Sequence, residues 1–244
     1  MIYLEMRTQQ LRKVYRTIFK ENAKLSAVAF RRAIRKDVKE SNPQTLAELS
    51  FIQTDNLESV LVDRYQKNGI RYGNLMYNDL SKFKKRFNPV FSQEWARHVR
   101  DTYVFGLNSK IILLKGTIRD EVTRMVDKAI IEGDDVVSLA ETIQRTVNSN
   151  DFYYWQAERI ARTEVGGAMN QATEVAVDSL DIEVRKRWLS GTDGRERDSH
   201  RDLNGDVVER NETFANGLLY PHDPQGDAKE VINCRCVVQY VPVN

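Results

Sequence analysis

Near Leu180 the hydrophobic period of the chain changes, and any fold must accommodate both sides of that change. Upstream, apolar residues recur every three or four positions, as on one face of a helix. Downstream, Ile182, Val184, Lys186 and Trp188 alternate with Glu183, Arg185 and Arg187, the period of two that marks a strand. The expected class is α+β: a long helical N-terminal region followed by a small β-rich C-terminal domain. The expected division is a basic helical region over 1–106 and a second unit over 107–244. That second unit holds helices within 117–180 and a β-rich knot over 181–244.

Within the helical part, Leu11, Val14, Tyr15, Ile18, Leu25, Val28, Ala29 and Ile34 predict a helix over 5–40, stopped by Asn42-Pro43. A second helix is expected over 45–67, with Asn68-Gly69 and Gly73 breaking the chain. A third is expected over 74–87 and a fourth over 92–106, the latter with Trp95, Val99 and Tyr103 at four-residue spacing. Residues 110–114 are ambiguous. Helices are expected over 117–132, where Gly133 supplies the C-terminal stop, and over 135–147. A long helix over 152–180 carries the narrow small-residue stripe Ala157, Ala161, Val165, Ala168, Ala172 and Ala176. Gly166-Gly167 costs about 1 kcal/mol per glycine in a helix interior, so another backbone packing closely there, or a kink, is expected. Short strands are expected near 206–209 and 212–214, and a final one over 231–241.

Charge is unevenly distributed. The first hundred residues hold 20 Lys and Arg against 10 Asp and Glu, and the remainder 17 against 25, within a net charge of +2. A basic module of this kind suits DNA phosphates or an acidic partner, and is equally what a solvated helix face looks like. The dense apolar run Ile111–Leu114 is far too short for a bilayer, and residues 1–6 lack the apolar core of a signal peptide. No membrane partner is expected. The two cysteines, Cys234 and Cys236, are read as reduced, in a cytoplasmic setting.

The last sixty residues gather the chemistry. Two of the three histidines and both cysteines fall between positions 200 and 236. On a strand, residues i and i+2 share a face, so the sulfurs of Cys234 and Cys236 would project together. With His200, and His222 or a carboxylate, they form a four-donor set suited to structural Zn²⁺. The alternative is that the cysteines pack as small apolar groups while His200 hydrogen-bonds within its loop. Arg195, Arg197, Arg201 and Arg235 lie among Asp193, Asp198, Asp202 and Glu230, a composition expected to order loops through salt bridges. No nucleophile, general base or phosphate-cradling glycine loop stands out, so no catalytic residue is assigned.

The segment Arg159-Ile160-Ala161-Arg162-Thr163-Glu164, then Trp188, then the block Asp193, Arg195, Arg197, His200, Leu203 and Gly205, then Asn233-Cys234-Arg235-Cys236, resembles the phage Mu protein F-like head morphogenesis family over roughly residues 115–241. The resemblance implies a non-enzymatic minor head protein of tailed phages, made in the host cytoplasm and carried in the virion. It implies a place at the portal or major capsid protein, in head assembly and in DNA packaging or delivery. It marks Arg162, Thr163, Glu164, Trp188, Asp193, Arg195, Arg197, Leu203 and Gly205 as motif positions, and it does not decide whether His200, Cys234, Cys236 and His222 hold metal. The competing reading is a metal-dependent hydrolase or nuclease built on His200, Cys234 and Cys236.

Overall fold

The structure, a computed structural model, describes residues 2–40, 55–83, 91–104, 150–180 and 182–243, with the single positions Arg124 and Ile131. The helices expected over 117–132 and 135–147 and the ambiguous segment 110–114 lie outside that set, apart from Arg124 and Ile131, which are both helical. The elements are α1 (Ile2–Glu40), α2 (Asp55–Leu80) with a 3-10 turn (Ser81–Phe83), α3 (Phe91–His98) continuing into a π-turn (Val99–Val104), and α4 (Asn150–Leu180). After α4 come β1 (Val184–Leu189), α5 (Asp198–Asp202), β2 (Val207–Glu209), α6 (Ala228–Val231) and β3 (Val237–Pro242). Long helices followed by a three-stranded antiparallel sheet give the α+β class.

α4 is the central rod. Its alanine stripe, with Ala157, Ala161, Ala168, Ala172 and Ala176 all nearly inaccessible, lets α1 and α2 approach closely. Small side chains on one helix face bring neighbouring backbones together and leave the large partners, such as Phe30, Ile34, Leu61 and Tyr65, to fill the space. The buried face of α1 matches the expected one in part. Tyr15, Ile18, Phe30 and Ile34 point inward, whereas Val14 and Leu25 are exposed. Leu75 of α2 is exposed too.

α2 runs unbroken through the positions expected to interrupt it. Gly69 and Gly73 are buried in its interior. A Cβ on Gly69 would lie 1.9 Å from Trp95 Cζ2, and one on Gly73 would lie 1.9 Å from Phe91 Cζ. The two glycines are therefore seats for the aromatic rings of α3, not breaks. Trp95 completes its seat by donating Nε1–H to Gln66 O at 3.0 Å and stacking on Tyr65. The start of α2 is capped from a distance: Asp37 of α1 accepts the Asn56 and Leu57 N–H groups at 3.0 and 2.8 Å.

Gly166-Gly167 is likewise a seat, although for a side chain and not a backbone. A Cβ on Gly166 would fall 2.2 Å from His222 Nε2. His222 itself has φ +64, a left-handed backbone that presents its ring to α4.

The sheet has the order β2-β1-β3, with Lys186 opposite both Val208 and Tyr240. The inward set Val184, Lys186 and Trp188 follows the expected alternation. Among the described residues one expected strand is absent and another is shortened. Residues 212–214 form no strand. Residues 231–236 do not extend β3: Asp227 caps α6 by accepting the Lys229 N–H, and Asn233 turns the chain at φ +60 before β3 begins at Val237.

Candidate metal centre

Trp188 anchors the site. Its ring is fully buried on β1 and meets both His200 and Phe214 edge-on, with centroids 5.1 Å away in each case. Its backbone also frames the loop carrying His200: Trp188 N–H donates to Asp206 O, and Gly205 N–H donates to Trp188 O, both at 2.9 Å. Gly205 takes φ +101, which a side chain would strain. Leu203 is buried at the end of α5 and packs in the same cluster as Trp188 and the cysteines. The one-and-a-half turns of α5 thus hold His200 against β1, 1% exposed.

The histidine is oriented at both nitrogens. Nε2 lies 2.8 Å from Glu230 Oε2 of α6, and Nδ1 lies 3.5 Å from Cys234 Sγ and 3.5 Å from Cys236 Sγ. The donor atoms of His200, Cys234 and Cys236 all fall within 4.8 Å of one another. Both cysteines are reduced and 2% exposed. The convergence is achieved by the turn at Asn233 and a short irregular segment, not by a strand. The two sulfurs divide in character. The hydrogen bond from Cys234, together with the contact to His200, brings Cys236 down to about 5 against the opposing effect of burial. Burial, together with the same pairing, pushes Cys234 well above the usual thiol range.

His222 is not part of this group. It is buried against Gly166 on α4, away from the trio that converges.

The Arg162-Thr163-Glu164 segment sits on α4 as a positioning device. Thr163 Oγ1 accepts the Asn233 N–H at 2.9 Å, and Arg162 Nη1 reaches Asn233 Oδ1 at 3.4 Å. Together they hold the left-handed residue that immediately precedes Cys234. Arg162 is held in turn by its ion pair with Glu158. Glu164 faces the other way and accepts the Tyr103 hydroxyl at 2.7 Å, fixing the π-turn. Three consecutive residues therefore tie the cysteine segment, α4 and the helical body together.

The arginines do not form the single ion network expected. Arg235 pairs with Asp193 at 3.6 Å, Arg201 pairs with Asp198, and Arg197 donates to the Ile232 carbonyl at 2.5 Å. Asp193 also accepts the Arg195 N–H at 3.2 Å. The Arg197 and Arg235 contacts pin loops, whereas the Arg201–Asp198 pair lies within α5.

Sequence reasoning missed three contributors. Glu230 orients His200, and only its position three residues after the helix-capping Asp227 hinted at an ordered turn. Asn170, fully buried, accepts the Val238 N–H at 2.9 Å and donates to Cys236 O at 3.3 Å, stitching α4 to β3. Tyr15 of α1 donates to the same Cys236 carbonyl at 3.2 Å. Nothing local announces these last two, because their partners lie 66 and 221 residues away.

A second feature adjoins this centre. A groove of about 750 Å³ runs between α1, α4 and the loop at Gly191. Lys20, Lys24 and Arg31 of α1, Arg162 of α4, and Arg195 and Arg235 of the C-terminal loops line it, with Glu158 and Asp193 as the acidic members.

A helical body is thus stitched to a three-stranded cap around a buried His/Cys/Cys group. The chain belongs to the Phage Mu protein F like protein family, which matches residues 118–239. Among curated proteins it is 27% identical over 158 residues to NAD(+)--arginine ADP-ribosyltransferase EFV of Enterococcus faecalis, a match covering 61% of this chain and 31% of that protein. It is 25% identical to the uncharacterized protein YqbB of Bacillus subtilis, over 53% of this chain and 44% of the relative. It is also 25% identical to minor head protein GP7 of Bacillus phage SPP1, over 50% and 40%. The chain thus spans less than half the length of these relatives. No solved structure matches it. No described helix is long and apolar enough to cross a membrane.

Proposed function

We propose that this chain is a phage minor head protein, a non-enzymatic adaptor that docks on the portal or major capsid protein during head assembly. The observation that carries the reading is the family match across residues 118–239, supported by the similarity to minor head protein GP7. The site geometry supports an architectural role over a hydrolase. A hydrolytic metal needs a position that substrate and water can reach, and His200, Cys234 and Cys236 are 1–2% exposed. The similarity to the ADP-ribosyltransferase covers 31% of that enzyme, and the residues it leaves unmatched are most of that protein. Sedimentation of the purified chain with procapsids, or with isolated portal rings, tests the adaptor role. Co-migration is expected, and its failure under assembly conditions counts against the reading. Incubation with plasmid DNA and divalent metals, with a His200→Ala control, tests the hydrolase, and intact DNA is expected.

The DNA-contacting part of this proposal is assigned to the groove and not to the basic region as a whole. Lys20, Lys24, Arg31 and Arg195 line the groove and form no ion pair among the described residues. Four phosphate contacts give a log–log salt slope of about −3.6, or roughly a 100-fold loss of affinity between 50 and 200 mM salt. Fluorescence anisotropy with labelled duplex reads this slope. The variant Lys20→Glu, Lys24→Glu, Arg31→Glu is expected to abolish binding, and an unchanged slope would remove the groove from the proposal.

A further inference from the structure

We propose that His200, Cys234 and Cys236 hold one tetrahedral Zn²⁺ ion, with Glu230 as the carboxylate that orients the histidine from behind. The inference rests on the geometry alone and stands whether or not the chain is a head protein.

The distances distinguish a metal from a hydrogen bond. With Nε2–H directed at Glu230, a neutral His200 has one lone pair on Nδ1, and it can accept one S–H. Yet both sulfurs lie 3.5 Å from that nitrogen. A tetrahedral ion with Zn–N of about 2.0–2.1 Å and Zn–S of about 2.3 Å sets an N···S edge of about 3.5–3.6 Å for each sulfur. Two sulfurs equidistant from one lone pair are two vertices of such a polyhedron.

The surroundings fit a thiolate site. Cys236 N–H donates to Cys234 Sγ at 3.4 Å. Amide donors of this kind support negative charge on sulfur. Two thiolates neutralise the charge of the dication, which allows the group to sit in the interior. Behind the ligand, Glu230 Oε2 takes Nε2–H at 2.8 Å and is itself held by Ser199 Oγ at 3.2 Å. Such a carboxylate–histidine–metal relay fixes the ring and raises its basicity. The trio supplies three vertices and leaves the fourth for one enclosed water, since ligands only 1–2% exposed close the site to substrate. Its place is structural: the ion would join α5, the turn after α6 and the start of β3, a cap with little regular structure of its own.

The test is metal analysis of the full chain, purified without chelator or metal resin. About one zinc per chain is expected, and removing it is expected to lower the melting temperature by on the order of 10 °C. Replacing zinc with Co²⁺ is expected to give intense visible d–d bands of a tetrahedral ion and a near-ultraviolet thiolate charge-transfer band. Cys234→Ser and Cys236→Ser are expected to lose both. Should these variants fail to fold, Glu230→Gln decides: stoichiometry and cobalt spectrum persist, while the dissociation constant rises about 10–100-fold. Zinc added at stoichiometric concentration that neither binds nor shifts the melt, a cobalt spectrum without the thiolate band, or a Cys234–Cys236 disulfide in the native protein would each overturn the proposal.

Discussion

Replacing Gly69 with alanine tests the packing of the helical body, because two known effects pull in opposite directions. In a helix interior, Gly→Ala ordinarily stabilises by about 1 kcal/mol. At Gly69 the new methyl would lie 1.9 and 2.1 Å from two ring carbons of Trp95, where carbon atoms in contact need about 3.5–4.0 Å. Relief requires the ring to move by roughly 1.5–2 Å. Trp95 is 0% exposed, stacks on Tyr65 at 5.6 Å and on His98 at 5.1 Å, and is tied to Gln66 O. Overpacking a core of this kind costs about 1–3 kcal/mol, and complete expulsion of a buried tryptophan about 3–5. After the helix gain is subtracted, a net loss of about 2–3 kcal/mol is expected, or roughly 5–10 °C in melting temperature for a chain of this size. Urea unfolding is the assay, with a lower midpoint at constant slope. Asn74→Ala, at an exposed position of the same helix, is the control and is expected to be neutral or slightly stabilising. A Gly69→Ala chain as stable as the parent, or more so, would refute the seat and restore glycine as a local break.

Thr163→Val keeps the shape of the side chain and leaves the Asn233 N–H without its acceptor; a loss of about 1–3 kcal/mol is expected in urea unfolding, and no loss would show that the clasp on the cysteine segment is unimportant. Burial raises the Glu174 carboxyl to about 7, and its Oε1 has no hydrogen-bond partner among the described residues. The folded chain therefore retains a proton that the unfolded chain releases near pH 4.5, so this group's contribution to stability is greatest below that pH and falls as pH rises through 7. Glu174→Gln is expected to remove a decline of about 2–3 kcal/mol, read as the difference between the two proteins' stability–pH curves, and parallel curves would contradict it. Lys186 donates to the Glu212 and Leu219 carbonyls, each at 2.8 Å; Lys186→Met is expected to cost about 2–3 kcal/mol by leaving them unsatisfied, and a neutral effect in calorimetry would show that water replaces the ammonium.

Short-range patterns exposed part of this architecture. The alanine stripe of α4 and the alternation of β1 were legible because the side chains that define them repeat at the period of their own element. Gly69 and Gly73 were misleading for the opposite reason: glycine's conformational freedom is a local property, whereas the rings that need the space come from another helix. The segment after α6 misled similarly. Val231 to Val241 alternates like a strand, yet Asp227 and the left-handed Asn233 divide it into a helical turn, a bend and a shorter strand. Proximity of Cys234 and Cys236 to His200 was foreseeable from composition, whereas the exclusion of His222 was not, since it depends on Gly166 lying 56 positions earlier in the chain.

The basic character of α1 has to be divided before it is connected to any ligand. The helix contributes to two surfaces along its length. Near its start, Thr8 bonds Gln239 at 3.0 Å, Arg12 reaches Asn204 at 2.6 Å, and Arg16 donates to the Gly191 carbonyl. These contacts hold the helix to the C-terminal cap, and Asn204 in turn accepts the Ser190 N–H beside the loop that carries His200. One turn further on, Lys20 and Lys24 continue into the groove. The surplus of positive charge in the first forty residues is therefore partly an internal fastening, while Lys20, Lys24 and Arg31 line the groove. Gly191 links the two surfaces: its carbonyl holds Arg16, it lies against Arg235 between the two cysteines, and it lines the groove. A ligand that draws Arg16 outward would loosen the segment beside Cys236, and a rigid centre at Cys236 keeps the wall of the groove in place. The wall of the charged groove is thus built on the same segment that packs beside the buried cysteines, so a displacement of one is felt by the other.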